Sequence, residues 1–505
     1  MSLLSERPHA FWNLTIVSAL LSLSQHIALG QPPEPTRTPL VRVVDLNVGE
    51  SQEVVLCDGS KAKVKVLDVQ ETRDTVCDAV RAAQVNVEVN GKPMTLVSAM
   101  YHLPQTVAGV QIDCSITKGY LQNSNTDAWG LVKDVRLRLW PAGSTLVAPG
   151  TFVYPLKQRW FASGTQMANE PVHVDGGEKP GPRKIYYHYG EDFGGAEGMV
   201  DVVAAVDGLV VAAGTEVLPG YKDAPVGPRY DRVNLLDDQG WYYLYSHLIS
   251  IDPSVRLGER AKMGQKIGVL GKEGSSGGWS HLHFSIESRQ PSGKWGIQAA
   301  YAFVWEAYLR EYAPKLIAVA RPHHLAWTGE KVTLDGTRSW SASGKIARYE
   351  WTFMDGTKAS GPKQERAYDR PGAYSEILKV SDDQGRVAYD FASVQIIDKA
   401  HPDQLPPTIQ AAYAPTFNIK PGDPVTFKTR TFRTTDGNET WDFGDGSAPV
   451  TVKSDGCVKA LAKDGFAVTV HRFEKAGDYL VRVERSNQLG FKATAHLWVR
   501  VGGTD

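Results

Sequence analysis

The sequence predicts a mainly β, multidomain protein that ends in two β-sandwich modules. Three observations predict it. Runs such as Val85-Asn86-Val87-Glu88-Val89 alternate apolar and polar residues, the two-residue period of a half-buried strand. A pattern of Trp, Asp and Gly recurs after roughly 90 residues, the size of one β-sandwich. And 505 residues are too many for one ordinary core, so several domains are expected.

Composition narrows the partners. Hydrophobic residues make up 42% and charged residues 22%, the balance of a folded globular chain. Lys+Arg number 55 against 56 Asp+Glu. No global field favours nucleic acid or an anionic membrane, so neither is an expected partner.

Residues 1–30 read as a signal peptide. Arg7 is weakly basic, Leu14 to Leu23 is mostly apolar and too short to span a bilayer, and Ala28-Leu29-Gly30 offers small residues for cleavage before Gln31. The alternative reading is an uncleaved anchor. No later stretch is long and apolar enough to span, so the mature form is expected to be exported (periplasmic, cell-surface or extracellular) without a membrane span.

Residues 31–40 hold a proline-rich linker, QPPEPTRTP. Residues 41–148 show strand texture, with Asn90-Gly91 as a hairpin signal, and form an N-terminal β domain. Strands rich in glycine continue over 149–297. Within 298–314, Tyr301, Val304, Trp305, Tyr308, Leu309 and Tyr312 recur at helical spacing before Pro314, so one amphipathic helix should pack on the preceding domain. The repeats occupy 315–398 and 408–503, joined by a linker at 399–407. Export would permit disulfides among Cys57, Cys77, Cys114 and Cys457; a pair among the first three is expected, with one thiol over. No C-x-x-C exists, which counts against a cysteine zinc site. His323-His324 is expected to be solvated.

The chemistry concentrates in three motifs of the 149–297 region. His188-Tyr-Gly190-Glu-Asp192 places a histidine and a carboxylate four apart, and Gly190, Gly194 and Gly195 argue for a strand end or loop rather than a helix. In His281-Leu282-His283-Phe284, strand alternation aims both histidines to one face and sends Leu282 and Phe284 to the core. Between them, Tyr245-Ser-His247-Leu248 carries a further histidine with the same alternation. Imidazole and carboxylate suit zinc, which in a catalytic site keeps three protein ligands and one open position. Zinc lowers the pKa of a water in that position to about 7.

Together with Gly258, Gly264, Ile267 and Gly268, these motifs resemble the lysostaphin/LytM-type peptidases over roughly residues 180–290. The resemblance implies a compact antiparallel β peptidase domain with a groove. It implies Zn2+ held by His188, Asp192 and His283, with His281 and His247 as catalytic base and transition-state stabiliser. It further implies a zinc metalloendopeptidase acting on peptidoglycan peptides. The alternative is a non-catalytic scaffold that binds cell wall or activates a hydrolase. Three departures border the groove: Tyr243 where Thr is common, a longer glycine-rich loop ending in Trp279-Ser280, and the inserted Pro219–Arg229. The 41–148 domain is read as either an inhibitory pro-segment, with Asn123 and Asn125 occluding the cleft, or a wall-binding module.

Trp441-Asp-Phe443-Gly-Asp445-Gly446, and more loosely Trp351 to Gly356, resemble PKD domains, immunoglobulin-like β-sandwiches. The aromatics are expected in the core and Asp-Gly in a tight turn. The modules are expected to act as spacers or to contact polysaccharide or protein surfaces. Cys457 lies in a polar insertion of the second module and is assigned no role.

Overall fold

The structure, a computed structural model, describes residues 32–98, 101–122, 127–164, 171–172 and 186–503. Residues 1–30, expected to be a signal peptide, and Asn123 and Asn125 lie outside the described residues. Strands account for 47% and helices for 4%, so the chain is mainly β. Among the described residues no helix is long and apolar enough to cross a membrane.

The N-terminal β region folds into two antiparallel sheets. One orders the strands Arg42–Leu46, Val135–Pro141, Val110–Thr117 and Gln105–Val107; the other orders Ser51–Val55, Lys61–Arg73, Val80–Val89 and Lys92–Ser98. Val64, Val66, Val85, Val87, Leu137 and Leu139 fill the space between them. Asn90 and Gly91 have φ of 49° and 78°, the positive values a tight hairpin turn requires. Two arginines on Val135–Pro141 are buried and paired: Arg136 with Asp45, and Arg138 with Asp113. Arg138 also donates to the Ala299 carbonyl (2.6 Å), which ties this region to the next.

The central region holds the site. Its main sheet runs Glu191–Gly194, His281–Arg289, Tyr242–Ser246, Val233–Leu236, Gly208–Ala213 and Glu216–Val217, all antiparallel. A second sheet holds Asp201–Val203, Lys266–Leu270 and Leu248–Ile251. Leu282, Phe284 and Ile286 point into the core with Val233, Leu235, Tyr243 and Tyr245. Burying one such side chain contributes about 1.5–3 kcal/mol. The helix Tyr301–Tyr312 lays Phe303, Val304, Ala307 and Tyr308 on that core. It ends at Ala313, which turns left-handed (φ 44°), and Pro314 follows.

The two C-terminal β regions share an edge. Gly372–Asp382 of the first runs parallel to Lys492–Val501 of the second, with Gly372 opposite Lys492. Trp351 and Trp441 are both fully buried.

Two expectations are corrected. No disulfide joins Cys57, Cys77, Cys114 and Cys457. Cys114 packs between the two N-terminal sheets, whereas Cys77 packs in a separate cluster with Tyr120 and Trp129, so the two thiols belong to different cores. His323 and His324 are half-buried rather than solvated, and burial pushes the His324 imidazole down to about 3.

Candidate metal centre and its surroundings

The metal-ligand candidates come together because two strands pair in register. Asp192 lies directly opposite His283 on neighbouring antiparallel strands, and Ser246 flanks His283 on its other side. His188 precedes the Glu191–Gly194 strand by one tight bend at Gly190. That bend needs glycine twice over. Its φ is 108°, and a Cβ there would stand 2.6 Å from the Phe284 carbonyl oxygen. The glycine lets the chain close onto the facing strand and swing His188 over Asp192.

Three donor atoms converge. His188 Nε2 is 2.9 Å from His283 Nδ1, and both are 3.0 Å from Asp192 Oδ1. Ligand bonds of about 2.0–2.1 Å in tetrahedral geometry place neighbouring donors about 3.3–3.4 Å apart. The triangle is slightly tighter than that and of the right shape. All three residues are at most 7% exposed. Among the described residues they form the group able to hold a metal ion.

The electrostatics suit a cation. Burial alone would raise Asp192, but the imidazoles of His188 and His281 and hydrogen bonds from His188 and His283 outweigh it and hold the carboxyl well below its usual range. Burial pushes His283 down to about 4 and His281 down to about 3. His283 and His281 are therefore neutral imidazoles and Asp192 a carboxylate at neutral pH, the protonation states that suit ligation.

His281 and His247 stand beside this triangle, their ring centroids 4.6 Å apart. For His281 the tautomer is set by a carbonyl, which can only accept. His281 Nδ1 donates to the Trp279 carbonyl (3.0 Å), leaving Nε2 unprotonated and 3.4 Å from Asp192 Oδ2. His247 Nδ1 lies between an acceptor and a donor, 2.7 Å from the Glu273 carbonyl and 3.2 Å from the Arg229 guanidinium.

His247 occupies a strained position. The Tyr242–Ser246 strand belongs to the main sheet and Leu248–Ile251 to the second, so the chain changes sheets at His247, with φ of 71°. Such backbone costs about 1–3 kcal/mol and persists only where its surroundings impose it. Asp231 imposes it: its Oδ2 accepts the His247 amide (2.8 Å) and its carbonyl the Leu248 amide (3.2 Å). Asp231 is in turn gripped by Arg229, which also donates to Ser246 (2.8 Å) and Ser275 (2.6 Å). Burial would raise Asp231, but the hydrogen bonds from His247 and Arg229 hold it well below the usual range.

The three motifs and all five candidate residues thus meet in one place. Sequence reasoning missed Asp231 and gave Arg229 no role beyond the insertion it ends. The only available signal was a buried-type Asp beside two arginines, Arg229-Tyr-Asp231-Arg232, which spacing alone does not connect to His247.

An antiparallel β scaffold that gathers two histidines and a carboxylate beside two further histidines is the arrangement of a metal-dependent hydrolase. Residues 186–294 match the Peptidase family M23 model, and residues 313–396 and 409–501 each match a PKD domain model. The chain therefore carries a peptidase domain of a metallopeptidase family followed by two PKD domains. Collagenase ColA of Clostridium perfringens is 32% identical over 69 residues, 14% of this chain and 6% of that protein. Among solved structures, lytM of Ruminococcus gnavus, named as a glycyl-glycine endopeptidase, is 22% identical, covering 31% of this chain and 60% of that one at a TM-score of 0.21. Csd3 of Helicobacter pylori is 13% identical, covering 53% of this chain and 81% of that one at a TM-score of 0.20. The chain thus spans only a small part of ColA and under two thirds of lytM.

Proposed function

We propose that the chain is an exported, zinc-dependent endopeptidase that cuts peptide bonds in bacterial peptidoglycan cross-links. The observation that carries this reading is the convergence of His188 Nε2, Asp192 Oδ1 and His283 Nδ1 within 3.0 Å of one another. Zinc bound there would supply an activated water and polarise the scissile carbonyl. His281, with Nδ1 engaged by the Trp279 carbonyl, accepts a proton at Nε2 and passes it to the leaving amine. His247, with the Arg229 guanidinium 3.2 Å from Nδ1, can present an N–H at Nε2 to the negative charge that develops on the carbonyl oxygen. Asp231 holds His247 in place for that task. The substrate class follows from the resemblance to LytM-type peptidases, and the three groove departures bear on which bond is cut.

The test is release of soluble fragments from purified peptidoglycan, analysed by mass spectrometry. Peptide-bond cleavage with about one zinc per chain, lost in both His188→Ala and His283→Ala, is the expected result. Equal activity in wild type and both variants would sink the reading. Sedimentation with sacculi without any released fragment would favour a scaffold role instead.

A further inference from the structure

We propose that the second PKD domain is part of the catalytic apparatus, with Phe432, Gln410 and Arg430 acting as positioning residues for His281. This rests on the peptidase reading above. Four consecutive residues lead into the strand that carries His281 and His283, and the second PKD domain grips every one of them. The Gly277 carbonyl accepts from Cys457 Sγ (3.6 Å). The Gly278 carbonyl accepts from Arg430 (3.3 Å), whose guanidinium is fixed by Asp455 (2.6 and 2.8 Å) and the Ala460 carbonyl (2.6 Å). The Trp279 indole stacks on the Phe432 ring, with centroids 4.0 Å apart and planes 3° from parallel. The backbone of Ser280 pairs with the Gln410 carboxamide in both directions, N–H to Oε1 and Nε2 to O, each at 2.7 Å.

The fit is close enough to dictate residue type. Gly278 has φ of 89°, and a Cβ on it would meet the Ala460 carbonyl, Arg430 and Cys457 within 2.9 Å. Ser280 and Gln410 are buried, so their paired amide groups have no water to replace a lost partner. The departure of this loop from the LytM pattern, Trp279-Ser280 at its end, coincides with the stacking and pairing contacts.

The loop's last act is chemical. The Trp279 carbonyl accepts from His281 Nδ1, fixing both the ring orientation and the tautomer that leaves Nε2 able to take a proton. A carbonyl that drifts by an ångström no longer does so. The hydrogen bonds that hold His188, Asp192 and His283 to one another lie within the peptidase domain. Weakening the grip should therefore lower turnover without releasing metal.

The experiment uses the full chain with Phe432→Ala, the milder Phe432→Leu, and Phe432→Tyr, which keeps a stacking ring. Zinc content, dye release from labelled peptidoglycan and backbone hydrogen exchange over 271–281 are measured for each. Phe432→Ala and Phe432→Leu should retain zinc, lose about 10-fold or more in kcat with apparent KM changed less than twofold, and exchange faster over 271–281; Phe432→Tyr should restore both readouts. Unchanged kcat and unchanged exchange in Phe432→Leu would overturn the proposal. Equal loss of zinc and activity would also overturn it, because that marks general unfolding. A wild-type chain that binds no zinc would overturn the metal reading alone, and the exchange comparison would still decide whether Phe432 holds the loop.

Discussion

Asp192 and His283 face each other across adjacent antiparallel strands, with Oδ1 and Nδ1 3.0 Å apart. Register places them there, and the hairpin-like approach of His188 completes the triangle. On the zinc reading, replacing either residue removes a proposed ligand and leaves the strands paired. Asp192→Ala and His283→Ala should each weaken zinc binding by at least roughly 100-fold, beyond the ~10–100-fold typical of outer-shell partners. Metal analysis after dialysis against a chelator of known affinity checks this.

Gly190 allows His188 to reach that triangle. In Gly190→Ala the new Cβ collides with the backbone of Phe284 in a conformation L-residues avoid. A cost of about 1–3 kcal/mol is expected, together with lowered zinc content. A melting temperature equal to that of wild type, with full zinc occupancy, would refute the role given to this glycine.

Asp231 holds the backbone of His247 and Leu248. Asp231→Ala frees a strained residue to relax and leaves Arg229 without its carboxylate. Zinc content should stay near one per chain while kcat falls by about 10- to 100-fold, within the range a misplaced proton-transfer group explains. Parallel loss of zinc would show that Asp231 supports the fold instead.

Glu287 provides a pH test on the strand that bears His281 and His283. Burial pushes its carboxyl up to about 7 from the ordinary 4.5. The folded state therefore holds a proton that the unfolded chain has already lost between about pH 4.5 and 7. Its contribution to stability is fully present below about 4.5, falls as pH rises to about 7, and levels off above. The loss is at most roughly 3 kcal/mol. Glu287→Gln should flatten the pH dependence of thermal unfolding over this window and raise the unfolding temperature at pH 8. An unchanged profile would show that Glu287 does not titrate in this range.

Much of the site was legible because it is local. Period-two alternation sends His281 and His283 one way and Leu282 and Phe284 the other, and the structure has both leucine and phenylalanine fully buried. The helix over Tyr301–Tyr312 was legible for the same reason, since its spacing is a property of neighbouring residues. The two PKD domains announced themselves through the Trp-Asp-Gly pattern that builds each core around one tryptophan.

What local pattern could not carry was partnership across long stretches of chain. Asp231 meets His247 because two sheets meet at a strained residue, and Gln410 meets Ser280 across 130 positions because one domain docks on another. The cysteines show the converse. Their number suggested pairing, but Cys77 and Cys114 pack in separate clusters and no disulfide forms. Residue order was enough to pick out the side chains that gather at the candidate site, because strand periodicity and ligand type are properties of a few consecutive residues. Which groups hold those side chains still was decided by docking, because the free energy of packing distant surfaces depends on shapes that exist only after each region has folded.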